Sequence, residues 1–99
     1  MTINLTKNER GFFIGEFKDG NGIDCSIQES SAAEQDMIWL GCDEPNTQSL
    51  TGNNTGWHPY PLPENVSCTT RMHLTVEQVA ALLPLLQRFV EQGYLGGEL

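Results

Sequence analysis

Basic residues are scarce in this chain: five Lys and Arg stand against thirteen Asp and Glu, a formal charge of −8 over 99 residues. So negative a body repels phosphate backbones, which disfavours direct nucleic-acid binding and favours a partner with a basic surface. Long apolar runs are missing too. No stretch reaches the roughly 18 apolar residues that a membrane-spanning helix needs, and no basic region leads into an apolar one near the N-terminus. A soluble, cytoplasmic protein is the expectation. Cysteine is limited to Cys25, Cys42 and Cys68, an odd number at wide spacing. That spacing fits neither a disulfide framework nor a zinc site, which usually includes two ligands about two to four residues apart. His58 and His73 do not repair the pattern, so neither metal nor cofactor is expected. The hydrophobic share of 38% is low. It allows one marginal core, which self-association as a homodimer would strengthen.

The most legible segment runs from Thr70 to Gly93. Thr75 is followed three residues later by Gln78, the spacing of a reciprocal cap at a helix start, and Gly93 suits the left-handed position that ends one. Between them Val79, Leu82, Leu83, Leu86, Phe89 and Val90 recur at helical spacing. A C-terminal helix over 75–92 is expected to pack its apolar side across a sheet. Pro84 should kink or locally break it, because the ring removes one amide donor and crowds the carbonyl of Ala80.

The rest reads as strands. Residues 11–18 and 23–28 flank the turn signal Asp19-Gly20-Asn21-Gly22, and in the second run Ile23, Cys25 and Ile27 alternate with Asp24, Ser26 and Gln28. Met37 to Cys42 is apolar throughout, which suits a central strand covered by the helix on one side and a second subunit on the other. Thr69 to Leu74 supplies a fourth strand, with Met72 and Leu74 on one face and Arg71 and His73 on the other. Residues 43–65 carry four of the five prolines and are expected to form a long irregular loop, and residues 1–10 a flexible arm. The fold class is therefore α+β, one domain over 1–99: a small antiparallel sheet of about four strands packed against one C-terminal helix.

Candidate binding residues fall in three places. The run 25–31 gathers a thiol, hydroxyls and an amide, with Ser26, Gln28, Ser30 and Ser31 able to donate to a ligand or to satisfy backbone at a strand end. Arg71 and His73 share a strand face; they either ion-pair with Glu16 and Asp24 or hold an anion. Trp57, His58 and Tyr60 lie in the proline-rich loop, where they are expected to pin it to the body and otherwise present a contact surface. Asp43 and Glu44, with Glu29, Glu34 and Asp36, place charge at both ends of the third strand, usually solvated but able to dock in a basic groove. No nucleophile can be set beside a base oriented by a third group, so no catalytic residue is named and a non-enzyme is expected.

The strings Cys25-Ser26-Ile27-Gln28-Glu29-Ser30-Ser31, Ile38-Trp39-Leu40-Gly41-Cys42-Asp43 and Thr70-Arg71-Met72-His73-Leu74-Thr75, the last followed by Glu77-Gln78, resemble an uncharacterised family of small bacteriophage and prophage proteins. The resemblance spans about residues 11–95 and is weakest over 47–65. It implies a viral origin and a host cytoplasm and transfers no catalytic residue. On that analogy the expected function is non-enzymatic inhibition of a host defence or regulatory protein, docked through the acidic strand ends and the Trp57–Tyr60 loop. The alternatives are an oligomeric sponge that sequesters a signalling nucleotide between Arg71, His73 and Ser26, Ser30 and Ser31, and a minor virion or assembly component.

Overall fold

Side-chain caps shape the first two turns of the sheet. In the computed structural model, which describes residues 1–50 and 56–96, β1 (Leu5–Lys7) reverses into β2 (Phe13–Lys18). At that turn Asn8 Oδ1 accepts from the N–H groups of Arg10 and Phe12, both at 3.0 Å. Asp19 repeats the device: its Oδ1 accepts from the N–H groups of Asn21 at 2.8 Å and Ile23 at 2.9 Å, and the chain returns as β3 (Asp24–Glu29). Short polar side chains that bond backbone two to four residues on are what makes such turns sharp. β4 (Met37–Cys42) follows, then β5 (Gln48–Ser49), β6 (His58–Pro59), β7 (Arg71–Thr75) and α1 (Val76–Gln92).

The main sheet has five antiparallel strands in the order β1-β2-β3-β4-β7. The α+β class holds, with one strand more than the sequence led us to count. The extra strand is β1, which pairs Leu5 with Gly15 and Lys7 with Phe13 at the sheet edge; residues expected to be an arm are thus partly hydrogen-bonded. The proline-rich excursion is likewise not wholly irregular. β5 and β6 pair in it as a separate two-stranded ladder, closed by the Tyr60 N–H donating to the Thr47 carbonyl at 2.9 Å and the Thr47 hydroxyl donating to the Tyr60 carbonyl. The Asn53-Asn54 pair lies outside the described residues.

Register sorts the side chains onto two unlike faces. One row across the sheet is Gly15, Ile27, Leu40 and Met72, and the neighbouring row is Phe17, Cys25 and Cys42. This face is apolar. The alternate rows are Glu16, Ser26, Gly41 and Arg71, then Ile14, Gln28, Trp39 and His73, a mostly polar face. The two-residue period of a strand makes this separation from a single alternating sequence.

α1 begins as expected: the Gln78 N–H donates to Thr75 Oγ1 at 3.1 Å and the Thr75 N–H to Gln78 Oε1 at 2.9 Å. It ends at Gly93, φ 81°, whose N–H donates to the Phe89 carbonyl at 2.8 Å. The helix runs through Pro84 without the local break that was one of the two expected outcomes; Ala80 is exposed, so water can meet the carbonyl that the proline orphans. The helix does not lie across the sheet as expected. No residue of α1 is buried, and Leu83, Phe89 and Val90 are more than half exposed. The reason is the connection: β7 ends at Thr75 and α1 starts at Val76, leaving no residue for the turn that would bring the helix back. Among the described residues no helix is long and apolar enough to cross a membrane.

Candidate ligand-binding site on the polar face

Gly41 organises the polar face. It stands in β4 between Ser26 of β3 and Arg71 of β7, at φ 150°, a conformation that favours glycine. A Cβ there would sit 2.7 Å from the Thr70 carbonyl oxygen and 2.9 Å from Arg71 Cα. The missing side chain leaves a gap in the sheet surface through which Arg71 reaches across β4. Its Nη1 donates to Gln28 Oε1 at 2.8 Å and to Ser26 Oγ at 3.3 Å. Ser26, the one buried polar side chain among the described residues, in turn donates to Asp43 Oδ1 at 2.6 Å. A buried hydroxyl that both accepts and donates is fully satisfied.

One row along, Trp39 and His73 stack with ring centroids 3.9 Å apart and planes at 8°. The Arg71 guanidinium stands 5.5 Å from the Trp39 ring centroid, within cation–π range. His73 Nε2 lies 2.8 Å from Ser30 Oγ, and Ser30 Oγ also accepts from the Ala32 N–H at 3.1 Å. Three strands therefore converge on one constellation: Ser26, Gln28 and Ser30 at β3, Trp39 and Gly41 on β4, Arg71 and His73 on β7.

The ion-paired alternative for Arg71 and His73 does not form. Among the described residues the single ion pair joins Lys18 Nζ to Asp24 Oδ1 at 2.6 Å at the exposed hairpin end, and that bond raises the Lys18 pKa. Arg71 meets no carboxylate within ion-pair distance among the described residues. Its hydrogen bonds there run through Nη1 to neutral oxygens, which leaves the rest of a five-donor fork to a ligand. Arg10 and Arg88 likewise meet no carboxylate among the described residues; Arg71 differs from them in standing part-buried beside the Trp39 ring with two side-chain oxygens on its Nη1.

The Ser30–His73 pair sets a hydroxyl against an imidazole, the first two members of a nucleophilic triad. The third is lacking: among the described residues no carboxylate bonds His73, whose ring is oriented by the Trp39 stack instead. The Ser26 hydroxyl is committed to Asp43 and Arg71. Binding by stacking and hydrogen bonding is what this geometry does best.

Sequence reasoning named Ser26, Gln28, Ser30, Asp43, Arg71 and His73, and the fold brings them together. Ser31 and Glu44 are exposed and take no part. Trp57, His58 and Tyr60 stand apart at the β5–β6 ladder. Trp57 is 65% and Tyr60 56% exposed, so they do not pin the loop to the body as expected; only His58 is half-buried, its Nε2 without a partner. Trp39 and Gly41 were missed as site residues, although their two-residue spacing on an alternating strand put them on one face. On the opposite face Cys25 and Cys42, distant in sequence, sit directly across from each other with Sγ atoms 3.9 Å apart. The Asp19 carboxylate lies within 4.8 Å of both, but its Oδ1 already accepts the two turn amides.

No family model, curated protein or solved structure matches this chain. The functional reading therefore stands on the site.

Proposed function

We propose that this protein binds, without transforming it, a small ligand that combines a flat ring system with an anionic group, a nucleotide being the class that has both. The carrying observation is Arg71: a guanidinium with open donors, no carboxylate partner among the described residues, and a stacked aromatic pair beside it. Arg71 would fork onto a phosphate, while the Trp39–His73 pair offers an aromatic surface for a base and Ser26, Gln28 and Ser30 hold Arg71 and His73 in place. With the resemblance to phage proteins, this supports a sequestering role in a host cell, the sponge alternative, over direct inhibition of a host protein.

Isothermal titration against cyclic dinucleotides and adenosine-ribose nucleotides tests the reading. Saturable binding is expected, with the ligand recovered intact after denaturation. Arg71→Ala should weaken it by about 10- to 100-fold, the range for a charge-assisted hydrogen bond. Silence across the panel would defeat the proposal, and conversion of the ligand, lost in Ser30→Ala, would replace binding with catalysis. A second reading rests on the exposed Trp57 and Tyr60, a surface that suits a protein partner, with Asp43 and Glu44 a few residues before β5, the strand that pairs with β6. Salt-sensitive capture of a basic host protein, lost in Trp57→Ala, would favour it.

A further inference from the structure

Among the described residues two apolar surfaces have no partner, and they belong to the same structural problem. The first is the sheet face that carries Phe17, Ile27, Leu40 and Met72; Met72 is 53% exposed. The second is the stripe of α1 formed by Val79, Leu82, Leu83, Leu86, Phe89 and Val90. Cys25 is the only buried hydrophobic residue among the described ones. The chain exposes 8297 Å², against roughly 5,600 Å² for a folded monomer of its mass. Its radius of gyration is 17.2 Å, against about 12.6 Å for a compact domain of this length. The surplus, roughly 2,700 Å², matches or slightly exceeds what one member of an obligate pair gives up.

We infer that the occupant is a second copy of this chain, with each copy laying its α1 on the other's apolar sheet face. The connection decides between this and closure within one chain. A strand that returns through a helix onto its own sheet normally has about two to six linking residues. Here there are none, and Thr75, the last strand residue, is also the helix cap. Folding α1 back would break the cap. Exchange between two copies leaves it intact and buries both surfaces through one self-complementary contact. A ready berth exists: a cavity of about 800 Å³ opens between the sheet and the first turns of the helix, lined by Ile38, Leu74, Val76, Val79 and Leu83 among others. The helix stripe is uncharged, and the charges near the apolar sheet face are few: Lys7 and Glu29 by register, Asp19 beside Cys25 and Cys42, and Asp36, which with Glu29 lines the cavity. Most of the thirteen carboxylates of each copy lie elsewhere. The exchange leaves the polar face with Arg71 and Trp39 open, so it stands or falls independently of ligand binding.

Sedimentation equilibrium at micromolar concentration, in low and in molar salt, tests this directly. The full chain should run at about 22 kDa, twice its 11.0 kDa, and hold that mass in high salt because the contact is apolar. Leu83→Asp with Leu86→Asp should lose the pair. Inserting five Gly or Ser residues between Thr75 and Val76 should let α1 reach its own sheet and give a folded species near 11 kDa. A wild-type chain that is monomeric across this range overturns the inference, including one whose helix binds lipid vesicles instead. So does a pair that survives in both variants. If the aspartate variant does not fold, the wild-type mass and the linker variant still decide.

Discussion

The two faces of the main sheet are built from the same strands and end in opposite conditions. On the polar face every group that folding removes from water finds a partner inside the chain: Ser26 between Arg71 and Asp43, Gln28 under Arg71, His73 between Trp39 and Ser30. On the apolar face the side chains have nowhere to go, because the helix that carries the matching surface points away from it. Directional bonds close over a few ångströms and can be completed by neighbouring strands. Apolar area needs a second layer, and one short sheet does not supply it. The polar face is thus finished by local register, the apolar face only by association.

The largest effect that separates the faces should come from filling their glycines. Gly41→Ala would drive a Cβ into the Thr70 carbonyl and Arg71 Cα, both main-chain atoms, at a φ that resists any side chain. We expect a loss of about 2–4 kcal/mol in urea unfolding from strain and overpacking together, with ligand binding lost as Arg71 is displaced. Gly15→Ala on the other face meets only side chains: Ile3 Cγ2 at 2.6 Å, Leu5 Cδ2 at 3.1 Å and Ile27 Cγ2 at 3.3 Å; the closest belongs to Ile3, which precedes the edge strand β1, so relief comes from a shift of that terminal segment. Its cost should stay below about 1 kcal/mol, helped by the lower backbone entropy of alanine in a strand. Equal costs would mean that the polar face is no more tightly determined than the apolar one.

A smaller effect sharpens the argument at the join. Thr75 caps α1 in the same residue that ends β7, so Thr75→Ala removes the hydroxyl that accepts from Gln78 and should cost about 1 kcal/mol. If the helix is held mainly by the second copy, this loss shows as a shift in the dimer midpoint with protein concentration. A loss independent of concentration would place the helix's stability within one chain.

How far these features could be read from the residues follows the range of the interactions. The capping pair Thr75 and Gln78, the Asp19 turn and the alternation around Cys25 are local, and each was legible. The helix was recognised but misplaced: its pattern announces an apolar side without naming the surface that covers it, and only the missing linker after Thr75 shows that its own sheet is out of reach. The polar site was half legible. Ser26, Gln28, Arg71 and His73 stand out by chemistry, whereas Trp39 and Gly41 matter because β4 happens to lie between β3 and β7, a strand order that no local signal encodes. Leu5 to Lys7 escaped notice for a related reason, since three residues at an edge show too little periodicity to count.

The least costly probe of the apolar face is a thiol. Cys25 is buried, and burial first, then its hydrogen bond to Cys42 and the charges of Cys42, Asp19 and Asp43, push its pKa above the ordinary thiol value. The folded chain thus keeps a proton that the unfolded chain releases above roughly pH 8.5. The state that binds more protons loses ground as pH rises, so folding stability should decline slowly through the alkaline range, and that decline should flatten in Cys25→Ala. Urea midpoints at pH 7 and pH 9.5 for the two proteins measure it. Exposure sets an order of alkylation by iodoacetamide at pH 8, read by mass spectrometry: Cys68, exposed, ahead of the half-buried Cys42, with buried Cys25 last and slowed further by its raised pKa. Association of two chains over this face should slow Cys42 further as protein concentration rises while leaving Cys68 unchanged. A Cys42 rate that ignores concentration would show the apolar face still open to solvent.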